Sequence, residues 1–172
     1  MILLALTLVL VAKAGTVIGV YEDPRTGEAS FDVMVTESLS PHLGTFGYFY
    51  VSPSWKEGYG GFTLGNEHWQ LAAGPGFESG QSFRYGGWIW YGNGDLSVTY
   101  AFEGAGSGYW DKYLVQYQTS PSLNLGVMEK RGLGYGGQAD LSVGKNSTFR
   151  IEYFPKTGQQ GGYSQIGLRF NL

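Results

Sequence analysis

The C-terminal residues alternate strictly between large apolar side chains and polar or small ones. Over residues 165–172 the apolar members are Ile166, Leu168, Phe170 and Leu172, and the others are Gln165, Gly167, Arg169 and Asn171. A period of two is that of a β-strand with one apolar and one polar face. The chain therefore has a final strand that separates an apolar environment from a hydrated one, and the same pattern recurs upstream.

These residues resemble the assembly signal of bacterial outer-membrane β-barrel proteins. That signal has a polar residue, a glycine two positions on, and two large apolar residues at the end, here Gln165, Gly167, Phe170 and Leu172. The usual last residue is aromatic, and Leu172 departs from this. The resemblance covers eight residues closely and the rest in general pattern. It implies a strand that closes a barrel, the barrel-assembly machinery and outer-membrane lipid as partners, and a bacterial outer-membrane location.

The composition restricts the class of protein further. Charged residues are 15% of the chain, against about 25% in ordinary soluble domains. This low fraction is insufficient to cover the surface of a soluble β-protein with charge. The net charge of −3 without a basic cluster excludes nucleic acid as a partner. No window of 18 apolar residues exists, so a transmembrane helix is excluded. The length indicates one domain, residues 1–172.

Every segment of the chain has the pattern of a short strand followed by a turn rich in Gly, Pro or Asn. We predict an all-β, closed, antiparallel up-and-down transmembrane barrel of about twelve strands, with ten as the alternative. The strand centres are Val17, Val33, Tyr48, Phe62, Leu71, Ile89, Val98, Val115, Leu125, Ala139, Ile151 and Leu168.

Turn lengths alternate in most of the chain. We predict tight turns after strands four, six, eight and ten, and longer loops after strands one, three, seven, nine and eleven, such as 22–28 and 52–58. The turn after strand two breaks the rule. Outer-membrane barrels have short periplasmic turns and longer external loops; the alternative is chance variation among loops.

Alternation does not by itself say which face points outward, because a lipocalin-like soluble barrel would place its apolar face inside. Three features favour the apolar face toward lipid. The polar face uses Gln, Ser, Thr and Asn rather than Lys and Glu. Twelve strands enclose a space too wide for one layer of core side chains. Tyr and Trp recur near strand ends, where interfacial girdles lie.

The N-terminal residues 1–14 admit two interpretations. Ala12-Lys13-Ala14 has the form of a signal-peptidase site after an apolar segment, although a basic region is missing. Alternatively the first strand runs from about Leu10 to Tyr21, with Lys13 facing inward. We favour the strand, because cleavage after Ala14 leaves a segment up to Tyr21 that is short of the ~9–11 residues needed to cross a bilayer.

The predicted inner face carries charges of both signs. We predict that the pore is lined by Lys13, Asp32, Glu103, Lys112, Gln116, Asp140, Arg150, Glu152 and Arg169. These residues form either a constriction that selects solutes by charge or an ion-pair network that braces the wall. The near balance of signs argues against strong ion selectivity.

A catalytic role has weak support in the sequence. His42 and His68 lie near turns, neither has a serine neighbour in a recognisable motif, and no G-x-S-x-G occurs. The chain has no cysteine, and we expect neither a metal nor a cofactor. We predict a passive, non-enzymatic pore for small hydrophilic solutes. The alternatives are a lipid- or lipopolysaccharide-modifying enzyme, a structural or export barrel without channel activity, and a soluble ligand-binding barrel.

Overall fold

The computed structural model describes residues 15–156 and 162–172, and the side chains of residues 81 and 82 are outside the description. In the described residues the chain forms twelve strands. They are β1 Thr16–Asp23, β2 Glu28–Ser38, β3 Leu43–Val51, β4 Lys56–Gly65, β5 Trp69–Glu78, β6 Gln81–Asn93, β7 Leu96–Gly104, β8 Trp110–Ser120, β9 Leu123–Lys130, β10 Gly134–Ser142, β11 Ser147–Phe154 and β12 Tyr163–Asn171.

The strands close into a barrel in which each strand pairs antiparallel with its neighbours in sequence. The ring is completed by β12 against β1, where Ile18 lies opposite Phe170 and Val20 opposite Leu168. Closure leaves no strand edge unpaired. The predicted architecture and strand number are confirmed, and so is the role of the last strand in closing the sheet. No helix in the described part of the chain is long and apolar enough to cross a membrane.

The barrel has two distinguishable ends. We call the end where β1 begins and β12 ends the terminal end; its turns are 39–42, 66–68, 94–95, 121–122 and 143–146. The opposite end, the loop end, has connections 24–27, 52–55, 79–80, 105–109 and 131–133, and β11 ends and β12 begins there. The alternation in length is weaker than predicted. Several loops are shorter than expected because ladder pairing continues further, as at Lys56, which still pairs with Val51.

The first strand differs from its predicted position. Gly15 is a turn residue with φ of 104°, and β1 begins at Thr16 and continues to Asp23, two residues beyond the predicted end. A glycine is favoured at this positive φ because a side chain is strained there. The predicted strand start near Leu10, the inward Lys13 and the cleavage site at Ala14 all lie outside the described residues.

Register and exposure separate the two faces of the wall. Directly opposed residues of paired antiparallel strands lie on the same face. On one face large apolar side chains are exposed, as at Val127 (68%) and Phe62 (63%), whereas the polar Gln138 and Asp140 on the other face are 4% and 6% exposed. The apolar alternating residues therefore point out of the barrel and the polar ones point into it.

Part of the interior is apolar, which a simple alternation of apolar and polar residues does not predict. Two clusters lie inside the ring, on opposite sides. The first lies on β3 to β6 and contains Phe46, Tyr48, Tyr59, Ala72 and Trp88. The second contains Leu114, Met128, Leu133, Phe154 and Tyr163. The interior is therefore a patchwork of polar and apolar surface.

Candidate functional site

Asp140 is the centre of a hydrogen-bond network inside the barrel. Arg150 donates to it through Nε and Nη2, each at 2.7 Å. The side-chain amides of Gln116 and Gln138 donate to its Oδ2 at 3.2 and 3.0 Å. Gln116 on β8 reaches Asp140 on β10 across Gly126, whose lack of a side chain leaves room for the contact. A bidentate arginine pair with two further donors holds this carboxylate in place.

A second ion pair spans a wider part of the interior. Lys112 on β8 donates from Nζ to Glu152 Oε1 on β11 at 3.3 Å. The side chains are 18% and 5% exposed, so the pair is shielded from bulk water by the barrel wall. It cross-braces β8 to β11 over the intervening strands.

A third cluster lies near the loop end on β5 to β7. Arg84 pairs with Glu78, and through Nη2 with Glu103 at 3.1 Å. Glu78 also accepts from the backbone N–H and the hydroxyl of Ser107. Ser107 belongs to the 105–109 connection, in which Ala105, Gly106 and Gly108 have positive φ. This short loop is therefore anchored to the interior cluster.

Asp32 and Arg169 face each other without forming an ion pair. They lie on either side of Gly19, with which each is in register. Asp32 and the Tyr21 hydroxyl lie over Gly19. Arg169 Nε is buried and has no hydrogen-bond partner among the described residues. Both charges therefore remain available within the interior.

A cavity of about 410 Å³ opens at the loop end. It is lined by aromatic rings that include Tyr48, Tyr50, Trp55, Trp110 and Tyr163. Its charged lining residues are Asp32, Glu57, Arg84, Glu103, Lys112, Lys130, Arg150 and Glu152. We call it the loop-end cavity.

At the rim of the barrel, Arg131 Nε donates a hydrogen bond to Asp111 Oδ1 at 2.9 Å, and this bond raises the pKa of the guanidinium above its ordinary value.

A second cavity, also of about 410 Å³, opens at the terminal end. Its interior lining residues are neutral: Trp90, Ser97, Gln116, Gln118 and Asn124. Three ionisable residues, Glu67, His68 and Asp95, lie in exposed turns at its rim. We call it the terminal-end cavity.

The two cavities share no lining residue. Between them lie four inward side chains that we call the middle belt: Phe46 and Trp88 from the first apolar cluster, and Leu114 and Met128 from the second. On β6 the loop-end cavity reaches Arg84 and the terminal-end cavity reaches Trp90, with Trp88 between them. Phe46 and Trp88 pack edge to face with ring centroids 4.8 Å apart. The belt therefore lies at the level where the two cavities are separated.

The predicted pore-lining residues occupy three levels of the interior. Five of them line the loop-end cavity: Asp32, Glu103, Lys112, Arg150 and Glu152. Gln116 lines the terminal-end cavity. Asp140 and Arg169 lie near the middle, and Lys13 is outside the described residues. The structure brings these residues together, and their role in lining a conducting pore stays a prediction.

Four charged residues of the interior were absent from the predicted pore lining: Glu57, Glu78, Arg84 and Lys130. Each lies at or near the end of its strand, where turn chemistry obscures the alternation. The sequence contained one signal in β6, because Arg84 stands between the aromatic residues Phe83 and Tyr85. The structure places Arg84 opposite the inward Gly76 and two residues before the inward Gly86.

The two histidines lie at the terminal end, away from the charged interior. His42 Nδ1 is 3.1 Å from the Gly65 carbonyl oxygen, and His68 Nε2 is 3.6 Å from Glu67 on an exposed turn. Within residues 15–156 and 162–172, neither imidazole hydrogen-bonds a serine hydroxyl, and no group of three or more His, Asp or Glu is arranged to hold a metal ion. The absence of catalysis and of a cofactor stays a prediction.

Three residues of the assembly signal, Gln165, Gly167 and Phe170, lie in β12, and Leu172 directly follows it. Gln165 points inward and donates to Ser30 at 3.3 Å. Gly167 lies beneath the Tyr21 ring, which leaves no space for a side chain at this position. Phe170 and Leu172 belong to the outward series that includes Ile18 and Leu168.

Comparison with known proteins gives structural neighbours alone. No protein-family model and no curated protein matches the chain. The solved structure of the KdgM porin superposes with a TM-score of 0.62 at 11% identity, covering 91% of this chain and 98% of that one. The KdgM porin in complex with disordered oligogalacturonate gives a TM-score of 0.63 at 12% identity, covering 91% and 99%. The NanC porin gives 0.57 at 12% identity, covering 92% and 100%. The chain thus has the fold of these porins over nearly their whole length.

Proposed function

We propose that this protein is a passive pore for small hydrophilic solutes in a bacterial outer membrane. One observation carries the proposal. A closed ring of strands encloses two cavities of about 410 Å³ each, lined by polar and charged side chains, while its outer surface is apolar. A hydrated interior within an apolar wall is the arrangement by which barrels let polar solutes cross a bilayer.

The outer surface supports a membrane location. Large exposed apolar residues cover the middle of the wall, among them Phe62, Ile89, Val115, Val127 and Ile151. The outward charged residues of the described strands all lie near strand ends: Glu22, Glu37, Lys56, Asp111 and Glu129. A charge at the bilayer midplane costs about 2–4 kcal/mol for Arg or Lys, so this distribution favours lipid as the surroundings.

The interior supports passage of small solutes. The middle belt reduces the free cross-section, and the ion pairs at Asp140, Glu152 and Arg84 hold further side chains against the wall. We infer that the belt is the narrowest level of the pore. A monosaccharide-sized solute suits such an interior better than a long polymer.

The similarity in fold does not identify the solute of this chain. One neighbouring structure contains oligogalacturonate, an acidic polymer. The loop-end cavity of this chain has four acidic and four basic lining residues, a balance that gives a polyanion no net attraction. We therefore propose a different, smaller class of solute.

Planar-bilayer recording tests the proposal. The purified barrel, refolded in detergent, is expected to give discrete conductance steps that decrease when neutral sugars small enough to enter are added and are unaffected by large polyethylene glycols. The control is the same protein denatured by boiling, with folding followed by heat-modifiable gel mobility. Folded barrel that inserts without conductance steps would remove the pore and favour a structural or export role.

We also infer that the assembly machinery recognises the C-terminal signal. Phe170→Ser in β12 is expected to reduce the fraction of barrel assembled in cells, measured by heat-modifiability of outer-membrane extracts. Phe149→Ser is the matched control, because Phe149 is an outward aromatic on the neighbouring strand and lies opposite Leu168. Equal losses in both variants would show that Phe170 acts through barrel stability and that the proposed signal is absent.

A further inference from the structure

The charged side chains of the loop-end cavity are separated by sign. The β2 to β7 half of the ring contributes Asp32, Glu57 and Glu103 with one base, Arg84. We call this half the acidic wall. The β8 to β11 part contributes Lys112, Lys130 and Arg150 with one acid, Glu152, and we call it the basic wall. The cavity is neutral in sum, yet its two sides carry opposite charge.

Some charged groups on each wall have no direct ion-pair partner. Arg84 is shared by Glu78 and Glu103, Lys112 pairs with Glu152, and Arg150 pairs with Asp140. Among the cavity-lining groups within the described residues, no ion pair involves Asp32 or Glu57 on the acidic wall, or Lys130 on the basic wall. These three groups remain available to a solute.

Glu57 and Lys130 are held in place by aromatic side chains. Trp55 Nε1 donates to Glu57 at 2.9 Å and the Tyr59 hydroxyl at 3.4 Å. Lys130 Nζ lies 5.7, 6.0 and 5.5 Å from the ring centroids of Trp110, Phe154 and Tyr163. Glu57 lies on β4 and Lys130 on β9, five strands apart around the ring. An anionic and a cationic site therefore face each other across the cavity, each with limited freedom to move.

We propose that the loop-end cavity selects small zwitterionic solutes, with their ammonium group toward Asp32 and Glu57 and their carboxylate toward Lys130. The inference rests on the proposed pore function and names the solute class that the pore prefers. A simple cation or anion is attracted by one wall and repelled by the other. A zwitterion aligned across the cavity is attracted by both, and a neutral solute by neither.

The test compares four solutes that share one backbone. Glycylglycine is the zwitterion, glycylglycinamide the cation, N-acetylglycine the anion and N-acetylglycinamide the neutral member. Initial efflux from preloaded proteoliposomes is measured at low salt. We expect glycylglycine to leave about fivefold faster than N-acetylglycinamide, the effect of one charge contact at about 4 Å in a water-like dielectric. The advantage should decline as salt is raised, because partly exposed charges are screened.

Two variants assign the effect to the two walls. Glu57→Gln is expected to reduce the glycylglycine advantage and to favour N-acetylglycine over glycylglycinamide; Lys130→Gln should favour glycylglycinamide instead. Lys56→Gln and Glu129→Gln are the matched controls, since each is the outward-facing neighbour of a tested residue, and neither should change any ratio. Efflux of N-acetylglycinamide reports in every variant that the barrel is folded and open.

The outcomes separate the inference from the proposed function. Faster glycylglycine efflux that both inward variants reduce supports the inference. Equal efflux of all four solutes, or an advantage that the two inward variants leave unchanged, would overturn it while leaving the pore intact. No efflux of any solute from vesicles that contain folded barrel would overturn both.

Discussion

The two cavities have the same volume and opposite chemistry. The loop-end cavity is lined by eight charged side chains, whereas the inner lining of the terminal-end cavity consists of amides, a hydroxyl and an indole. The two are separated by the middle belt and by the Asp140 network. The difference teaches that interior charge is concentrated at the loop end, whereas the terminal-end cavity has ionisable residues at its rim alone.

Asp140 joins side chains of the two cavities, because it accepts hydrogen bonds from Arg150 of the loop-end cavity and Gln116 of the terminal-end cavity. Asp140→Asn leaves Arg150, which is 13% exposed, without a carboxylate, and removal of one partner of a buried pair costs about 3–5 kcal/mol. Because Arg150 lines a cavity with room for water, we expect a loss near the lower value, about 3 kcal/mol. Urea unfolding in phospholipid vesicles, followed by tryptophan fluorescence, measures it. Asp95→Asn in an exposed turn is the control, and equal stability of the two variants would contradict the central role of Asp140.

The middle belt is tested by Trp88→Ala, which should join the cavities. We expect larger single-channel conductance, together with a loss of about 2–3 kcal/mol in stability from removing a half-buried ring and its contact with Phe46. Trp90→Ala is the control, because Trp90 lines the terminal-end cavity. Its removal is expected to widen that cavity without joining it to the loop-end cavity. A conductance increase in Trp90→Ala that equals the increase in Trp88→Ala would place the narrowest level elsewhere.

The smallest expected effect comes from giving the terminal-end cavity a charge. Gln118→Glu places a carboxylate among neutral side chains and should shift selectivity toward cations by about fivefold, the effect of about 1 kcal/mol of charge interaction. The reversal potential in a KCl gradient measures it. Tyr117→Gln, on the outward face of the same strand, is the control. An unchanged reversal potential in Gln118→Glu would show that ions do not pass through this cavity.

The fold was predictable from the sequence because alternation is a local signal. β7, β8 and β11 have clean alternation, and their faces follow from a few adjacent residues. The strand limits were less predictable: β1 and β4 begin or end differently from the prediction because pairing with a neighbouring strand, which the local sequence does not encode, sets the last ladder bond.

The site was predictable in part, for a related reason. Asp32, Lys112 and Glu152 lie in stretches of clean alternation and were predicted to face inward. Glu57 and Lys130 lie at strand ends, where the apolar pattern fades. The partners of each charge depend on side chains two or three strands away, as for Lys112 and Glu152, and only the closed ring brings these together.

The orientation of the barrel wall, with its apolar face toward lipid, is the central claim. Because the sequence contains no cysteine, single cysteines can report which face is accessible to water. Gln116→Cys and Val115→Cys place a thiol at neighbouring positions on opposite faces of β8. In barrels embedded in vesicles, a membrane-impermeant maleimide is expected to label Gln116→Cys, whose thiol faces the hydrated interior, and to leave Val115→Cys unreacted in lipid. Rapid labelling of Val115→Cys with protection of Gln116→Cys would contradict the account.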